Sequence, residues 1–298
     1  MHFCCIKRMD LKLPILKKFD NGKKNMNLEG KMRIGIIGYG HLGKALVRGL
    51  ILTGFSQNDI DINARTQKTR DCVRDEFKDI YVTDNKEELV NRTDVIILIT
   101  EPKNAAEVLN ELKDYKIDEK IVVSFMAGIT IAEIRNMLGE KHNTVKVVRA
   151  MPNIAIQDGN GVIGVTYEEQ DYEIIQELLN VLKKLGYVLR LDENSLNYIT
   201  VTAASGLAFA ACMMNAYQKA GNTLFNDDKK SKEITIRIFE NVINMVKREN
   251  CSFDDIVCRI TTKGGTTEAG MKHLNQELIT ENLELCMKKS YEKTNNIM

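Results

Sequence analysis

The sequence contains only three prolines in 298 residues and no low-complexity run, which excludes a mostly disordered chain. It also lacks an excess of either charge, because 42 Lys and Arg oppose 41 Asp and Glu for a formal net charge of +1. This balance excludes a chain built as a polyelectrolyte for nucleic acid, and we expect no nucleic-acid partner. The length suggests about two domains of roughly 150 residues each.

Metal-binding and disulfide patterns are also missing. None of the seven cysteines forms a C-x-x-C pair, and the four histidines show no metal-ligand spacing, so we expect no metal site. An odd number of cysteines without such pairs favours a reduced compartment, and therefore a cytoplasmic protein.

The charge is unevenly distributed. Residues 1–31 contain eight Lys or Arg and three Asp or Glu, whereas the rest of the chain has a small acidic excess. The segment lacks the apolar stretch of a secretory signal, and with one Arg and no Ser it is a poor match to a transit peptide. We expect a flexible basic extension over 1–31, with a targeting or lipid-surface role as the alternative.

Residues 194–218 contain no charged side chain, which invites assignment as a transmembrane segment. Asn, Gln, Ser and Thr side chains interrupt the run, and such polar density is costly in hydrocarbon. We therefore expect a helix buried on most sides inside protein, and no membrane partner.

Strand and helix patterns alternate from residue 32 to about 191, which is typical of a doubly wound parallel sheet. After that point only helical patterns remain. We predict an α/β fold with a Rossmann-type domain at 32–192 and an all-α dimerisation domain at 193–298. The second domain has more apolar surface than it can cover alone, so we expect a homodimer or larger homo-oligomer. The predicted strands are 33–37, 60–63, 80–82, 95–100, 121–125, 145–150, 161–165 and 187–191.

A G-x-G-x-x-G motif follows the first strand and opens a helix, which is the context that a dinucleotide-binding motif requires. Its glycines permit a tight turn, close approach of the backbone to a diphosphate and close helix–strand packing. Free N–H groups at the helix start then bind the diphosphate. The candidate residues are Gly38, Tyr39, Gly40, His41, Leu42 and Gly43.

The end of the second strand usually selects the cofactor, and NAD sites place an acidic residue there. Asp61 falls inside the strand, too early for that role, whereas Arg65 and Thr66 lie at its end with Lys68 nearby. These donors suit a 2′-phosphate, so the sequence favours NADPH over NADH. The alternative is that Arg65 and Lys68 are merely solvated surface charges.

Two further segments are candidates for substrate binding. Residues 148–153 run from a strand into a loop at the carboxyl edge of the sheet, where ligands bind in open α/β folds. Residues 261–267 place a glycine pair before a helix start rich in hydroxyl groups, which could hold a carboxylate. A plain N-capped helix is the alternative for the second segment.

Five separated motifs together resemble the pyrroline-5-carboxylate reductase family, over about residues 32–295. They are GYGHLG at 38–43, FMAGIT at 125–130, RAMPN at 149–153, TVTAASGLAF at 200–209 and TKGGTTEAGM at 262–271. The resemblance implies NAD(P)H-dependent reduction of the cyclic imine 1-pyrroline-5-carboxylate to L-proline, a step of proline biosynthesis. It also implies a helical dimerisation domain whose dimers often join into larger rings.

The resemblance assigns further residues by position. Thr267 matches the threonine that hydrogen-bonds the ring nitrogen and is the candidate catalytic residue. The implied substrate-binding residues are Met151, Pro152, Asn153, Thr262, Gly264, Gly265 and Thr266. In addition to the glycine motif, the implied cofactor-binding residues are Arg65, Thr66, Asn85, Thr100, Pro102, Ala127 and Gly128.

The chain departs from the family pattern mainly in the substrate half. Leu207 replaces a proline, Asn215 and Asn197 replace acidic residues, Lys263 replaces a proline and Glu101 replaces a lysine. Two alternatives therefore stay open: a related reductase of another small imine or keto acid, and a catalytically weak, dinucleotide-binding regulatory paralogue.

Overall fold

The computed structural model describes residues 32–295, and the predicted extension at 1–31 lies outside the described residues. The strands are β1 Ile34–Ile37, β2 Ile60–Asn63, β3 Tyr81–Thr83, β4 Val95–Leu98, β5 Ile121–Ser124, β6 Lys146–Pro152, β7 Gly161–Tyr167 and β8 Gly186–Arg190. The helices are α1 His41–Leu52, α2 Gln67–Glu76, α3 Lys86–Arg92, α4 Ala105–Leu112, α5 Ile131–Leu138, α6 Gln176–Leu185, α7 Glu193–Ile199, α8 Gly206–Phe225, α9 Asp228–Glu249, α10 Phe253–Ile260, α11 Thr266–Met271 and α12 Gln276–Asn295.

The eight strands within the described residues form one sheet in the order β3-β2-β1-β4-β5-β6-β7-β8. The first six have the Rossmann order, so the predicted fold class is confirmed. One pairing differs from the prediction of a parallel sheet, because β7 runs antiparallel to β6. Residues 153–160, which join the two strands, are too few for a parallel crossover, and Gly159 turns the chain at φ +69°.

Apolar layers cover both faces of the sheet. The residues of β1, β4 and β5 are all buried, as expected for strands covered on both sides. One layer contains residues of α1 and α6, such as Leu46 and Leu182, and the other contains residues of α4 and α5, such as Leu109 and Ile134. This packing fixes the carboxyl ends of β1, β2, β4 and β5 at one edge of the sheet.

From Glu193 to the end of the described residues the chain is helical. A π-helical turn at Thr200–Ser205 joins α7 to α8, so that Glu193–Phe225 is one continuous helix. By length and composition this helix could cross a membrane: its best window has a mean hydropathy of 1.5, and 6% of that window is buried. The expectation of a helix buried inside protein is therefore wrong for the single chain, because α8 has no buried residue.

The last strand of the described residues ends at Arg190, and the part that contains only helices begins at Glu193. The division into domains at residue 192 nevertheless stays a prediction.

Candidate active site

The loop between β1 and α1 requires glycine at its first position. Gly38 has φ +105°, and a Cβ atom there would lie 2.5 Å from the carbonyl oxygen of Ile99. Its N–H donates to the carbonyl of Asn63 over 3.1 Å, which ties the loop to the end of β2. At Gly43 a Cβ atom would lie 2.7 Å from the carbonyl oxygen of Gly38, so the first turn of α1 packs directly on the loop.

Gly40 is different, because a Cβ atom there would meet nothing within 4 Å. It is the N-cap of α1, its cap makes no side-chain hydrogen bond, and the first turn contains no acidic residue. The N–H groups of His41 and Leu42 belong to the first turn of α1, where they lack partners within the helix, at the positive end of the helix dipole. Such an arrangement suits a diphosphate.

Tyr39, a residue of this loop, is half-buried and packs against the hydrophobic core. Burial, followed by the nearby charge of Glu76, raises the pKa of its phenol to about 12. The hydroxyl group has no hydrogen-bond partner among the described residues. Tyr39 is thus a neutral packing group near neutral pH.

The side chain of Asp61 is not accessible to a ligand. Its side chain is fully buried within β2 and forms ion pairs with Arg33 (3.0 Å) and Arg92 (2.6 Å). A carboxylate at this place cannot receive a ribose hydroxyl group, as the sequence predicted.

Arg65 and Thr66 lie just beyond the end of β2, and both are exposed. The Thr66 hydroxyl caps α2 by accepting from the N–H of Thr69 over 3.2 Å. Arg70, which sequence reasoning missed, braces this loop from inside: its buried guanidinium donates to the carbonyls of Ala64 and Arg65 over 2.9 and 3.0 Å. Its helical position resembles that of any surface arginine, so only the fold reveals the role.

Across the glycine loop, the segment after β4 contains Thr100 and Pro102, both half-buried. Glu101 forms an ion pair of 2.5 Å with Lys103. The Lys103 ammonium holds the pKa of Glu101 below its usual value, and the charge of Arg65 adds to this effect. The replacement of the family lysine thus places a carboxylate within electrostatic reach of Arg65.

Two predicted cofactor contacts lie on neighbouring loops. Asn85 is exposed and caps α3, where its Oδ1 accepts from the N–H of Glu88 over 3.2 Å. Ala127 and Gly128 follow β5 and are half-buried, and Gly128 has φ +77°. The structure therefore brings the predicted cofactor residues to the carboxyl edge of the sheet, around the glycine loop.

Met151 and Pro152 are the last residues of β6, and both are buried. Asn153 is buried as well, and its amide is engaged at both ends: Oδ1 accepts from the N–H of Val162 (3.2 Å), and Nδ2 donates to the carbonyl of Ala203 (3.1 Å). Asn153 thus joins the β6–β7 connection to the π-helical turn. Its predicted contact with a substrate stays a prediction.

The 262–267 loop follows α10 and includes Thr266 and Thr267, the first residues of α11. Gly264 has φ +77°, and Thr262 and Thr266 are exposed while Gly265 and Thr267 are half-buried. The N–H of Gly265 donates to the carbonyl of Thr262 (3.0 Å), and that of Gly264 donates to Glu268 (2.9 Å). Among the hydrogen bonds of the described residues, those of this loop stay local and none joins it to the sheet edge.

Comparison with known proteins gives two family matches. Residues 33–128 match the family described as NADP oxidoreductase coenzyme F420-dependent, and residues 193–297 match pyrroline-5-carboxylate reductase dimerisation. The pyrroline-5-carboxylate reductase of Aquifex aeolicus is 27% identical over 89% of this chain and 97% of its own length. Pyrroline-5-carboxylate reductase 2 of Bacillus subtilis is 28% identical over 89% and 95%.

Residues 193–297 thus match the dimerisation domain of the pyrroline-5-carboxylate reductase family, and the chain is similar to reductases of this family over most of its length. Solved structures share the fold. The Plasmodium falciparum pyrroline carboxylate reductase with NADP bound has a TM-score of 0.79 at 20% identity, over 89% of this chain and 98% of that one. The 1-pyrroline-5-carboxylate reductase of Streptococcus pyogenes also has a TM-score of 0.79, at 22% identity over 89% and 98%.

Proposed function

We propose that the chain reduces 1-pyrroline-5-carboxylate to L-proline with NADPH. The observation that carries this proposal is the combination, in one chain, of an open glycine loop at the sheet edge with a dimerisation segment of this family at 193–297. The curated relatives of that name match almost from end to end.

The residues present fit a dinucleotide. Gly40 leaves room above the uncapped start of α1, and the neighbouring N–H groups would hold the diphosphate. Arg65 and Thr66 would hold the adenosine ribose and its 2′-phosphate, which supports a preference for NADPH. The segments at Thr100–Pro102 and Ala127–Gly128 would lie along the nicotinamide half.

When bound, NADPH supplies the hydride that reduces the imine carbon. The chain must hold that carbon close to the donor and exclude misaligned poses, which is catalysis by proximity and orientation. The N–H groups of Gly264 and Gly265 already donate within the loop, so those of Thr266 and Thr267 are the better candidates for the substrate carboxylate. The Thr267 hydroxyl group would donate to the ring nitrogen and relay a proton with water.

The same proposal includes a homodimer or larger homo-oligomer formed through the C-terminal helices, supported by the exposed apolar face of α8 and by the family match. Association would also bring the 262–267 loop of one copy to the edge of the sheet where the other copy binds the nucleotide. We propose a cytoplasmic location, supported by the five cysteines of the described residues, all of which are free.

The test is a purified-enzyme assay with NADPH and 1-pyrroline-5-carboxylate, with loss of nicotinamide absorbance and formation of proline measured together. We expect both, at equal molar rates. NADPH binding without turnover would overturn the reductase proposal and favour a regulatory paralogue. Turnover of other small imines or keto acids alone would favour the related reductase, an outcome that the replacements at Leu207, Asn215 and Lys263 make worth testing.

A further inference from the structure

Arg149 is the largest fully buried side chain of the described residues, and its residue is 1% exposed. It lies on β6, two residues before Met151. One nitrogen, Nη1, donates to Oε1 of Glu193 over 2.9 Å. The other two, Nε and Nη2, are buried without a hydrogen-bond partner among the described residues. Glu193 therefore makes the only direct hydrogen bond described for this buried cation, a type of group that normally needs a partner.

Glu193 also serves a second element. The same Oε1 accepts from the backbone N–H of Ile131 over 2.7 Å. Ile131 is the first residue of α5, where the N–H groups lack partners within the helix. One carboxylate from the start of α7, where the helical part begins, thus joins a strand and a helix of the sheet-containing part.

This bond fixes one end of the loop after β5, at residues 125–130. At the other end, Met126 donates its N–H to the Ser124 hydroxyl over 3.2 Å. Thr130 and Glu133 form a capping box on α5, with 2.7 Å between the Thr130 N–H and the carboxylate of Glu133. Between these anchors lie Ala127 and Gly128, the predicted nicotinamide-side residues.

Arg149 reaches this cap as well. The hydrogen bonds from Thr130 hold the pKa of Glu133 below its usual value, and the charge of Arg149 lowers it further. Arg149 thus contacts the carboxylate of Glu193 and lies within electrostatic range of that of Glu133, on the side of the sheet that α5 covers.

We propose that Glu193 and Arg149 are positioning residues that hold the 125–130 loop at the nicotinamide end of the site. The inference rests on the proposed function for its catalytic consequence but not for its structural one. The loop's C-terminal anchor then depends on a carboxylate from the first helix beyond the sheet. Any movement of that helix would change the alignment of the donor for hydride transfer without touching the adenosine end.

The structural arm is hydrogen–deuterium exchange of the free protein, followed on peptides that cover 125–131. We expect Glu193→Ala to speed exchange at these residues about tenfold or more, because Ile131 loses its acceptor. Glu193→Gln keeps an oxygen that can accept from the Ile131 N–H, so its exchange rate should lie between those of wild type and Glu193→Ala. The matched control is Glu168→Gln, which removes the 2.7 Å ion pair to Arg135 on the same helix, away from the loop.

The catalytic arm measures kcat, KM, the NADPH dissociation constant and the deuterium isotope effect with NADPH labelled at the transferred position. We expect Glu193→Ala to lower kcat about tenfold and raise the isotope effect, with less than about threefold change in NADPH affinity. Unchanged exchange in Glu193→Ala, or an equal effect of Glu168→Gln in either arm, would overturn the proposal. If the wild-type protein fails to turn over the substrate, the proposed function fails, whereas the exchange arm still decides the role of Glu193.

Discussion

Asp61 lies within β2 and Arg65 just beyond its end, and their surroundings give them opposite roles. Asp61 is fully buried between Arg33 and Arg92, so its charge is used to hold β2 against its neighbours. Arg65 is exposed, and Arg70 holds its backbone from inside. The only side chain of this pair that can meet a ligand is therefore cationic, which favours a phosphate over a free ribose hydroxyl group.

We predict that Arg65→Ala weakens NADPH about tenfold and changes NADH by less than about twofold. A hydrogen bond to a charged group contributes about 1.5–3 kcal/mol, and exposure to water reduces that contribution here. The measurement is the dissociation constant of each cofactor by nicotinamide fluorescence at fixed salt concentration. Lys78→Ala, an exposed charge beyond α2, is the control. Equal weakening of both cofactors would contradict the assignment of a 2′-phosphate to Arg65.

Tyr39 gives a prediction about pH. Its pKa is raised to about 12, so the folded state holds the phenol proton more tightly than the unfolded chain, whose pKa is about 10. This contribution to stability is complete below about pH 10 and is lost as the pH rises towards 12. Tyr39→Phe also removes a buried hydroxyl group that has no hydrogen-bond partner among the described residues, so it should be neutral or stabilising by about 1 kcal/mol at pH 7.

Urea unfolding of wild type and Tyr39→Phe at pH 7, 9 and 10.5 measures the effect. The advantage of the variant should grow with pH. A constant or shrinking difference in the free energy of unfolding would show that the Tyr39 phenol does not titrate as its burial requires.

At the scale of elements, the periodic patterns predicted the strands to within one or two residues at each end. They succeeded where burial imposes the pattern, as in β2, whose bounds agree with those predicted. They failed where long-range pairing decides. The reversal of β7 depends on which neighbour its backbone meets, and the π-helical turn at Thr200–Ser205 leaves no mark in apolar periodicity.

The site divides in the same way. The glycine loop was predictable, because its spacing encodes local backbone geometry. The bracing by Arg70 and the bridge from Glu193 to Ile131 were not, since each joins elements whose proximity only the fold creates. The amide of Asn153 is also engaged by partners that the motif alone did not indicate.

The β1–α1 loop permits a contrast between two glycines. Gly38→Ala should cost more than about 2 kcal/mol of folding stability, because φ is +105° and the new Cβ would meet the Ile99 carbonyl. Gly40→Ala has open space and φ −84°, so its thermal midpoint should stay within about 2 °C of wild type. Its NADPH dissociation constant should nevertheless rise about tenfold, because the added methyl group occupies the approach to the diphosphate. Thermal unfolding and cofactor titration of both variants check this pair, and unchanged affinity in Gly40→Ala would contradict diphosphate binding at the loop.

At the scale of the whole molecule, one feature stands apart from the rest of the packing. The sheet-containing part buries its apolar residues on both faces, whereas α8 buries none. Its exposed large apolar side chains include Leu207, Met213, Tyr217, Leu224 and Phe225. Soluble monomers rarely expose a continuous apolar surface of this kind, and a second copy of the chain is the cover that we propose.

We therefore predict that Met213→Glu, at the middle of α8, prevents association. A charge placed in a desolvated interface costs several kcal/mol, which exceeds what most single contacts contribute to a dimer. Sedimentation velocity over a range of protein concentrations should show a dimer or larger assembly for wild type and mainly monomer for the variant. Leu52→Glu, which alters an exposed apolar residue at the end of α1, is the matched control and should associate as wild type does. Reductase activity should fall with the loss of the dimer, because a second copy is the proposed means of bringing a 262–267 loop to the nucleotide-binding edge of the sheet. A Met213→Glu protein that stays fully associated would instead place the interface on another face of the helical segment.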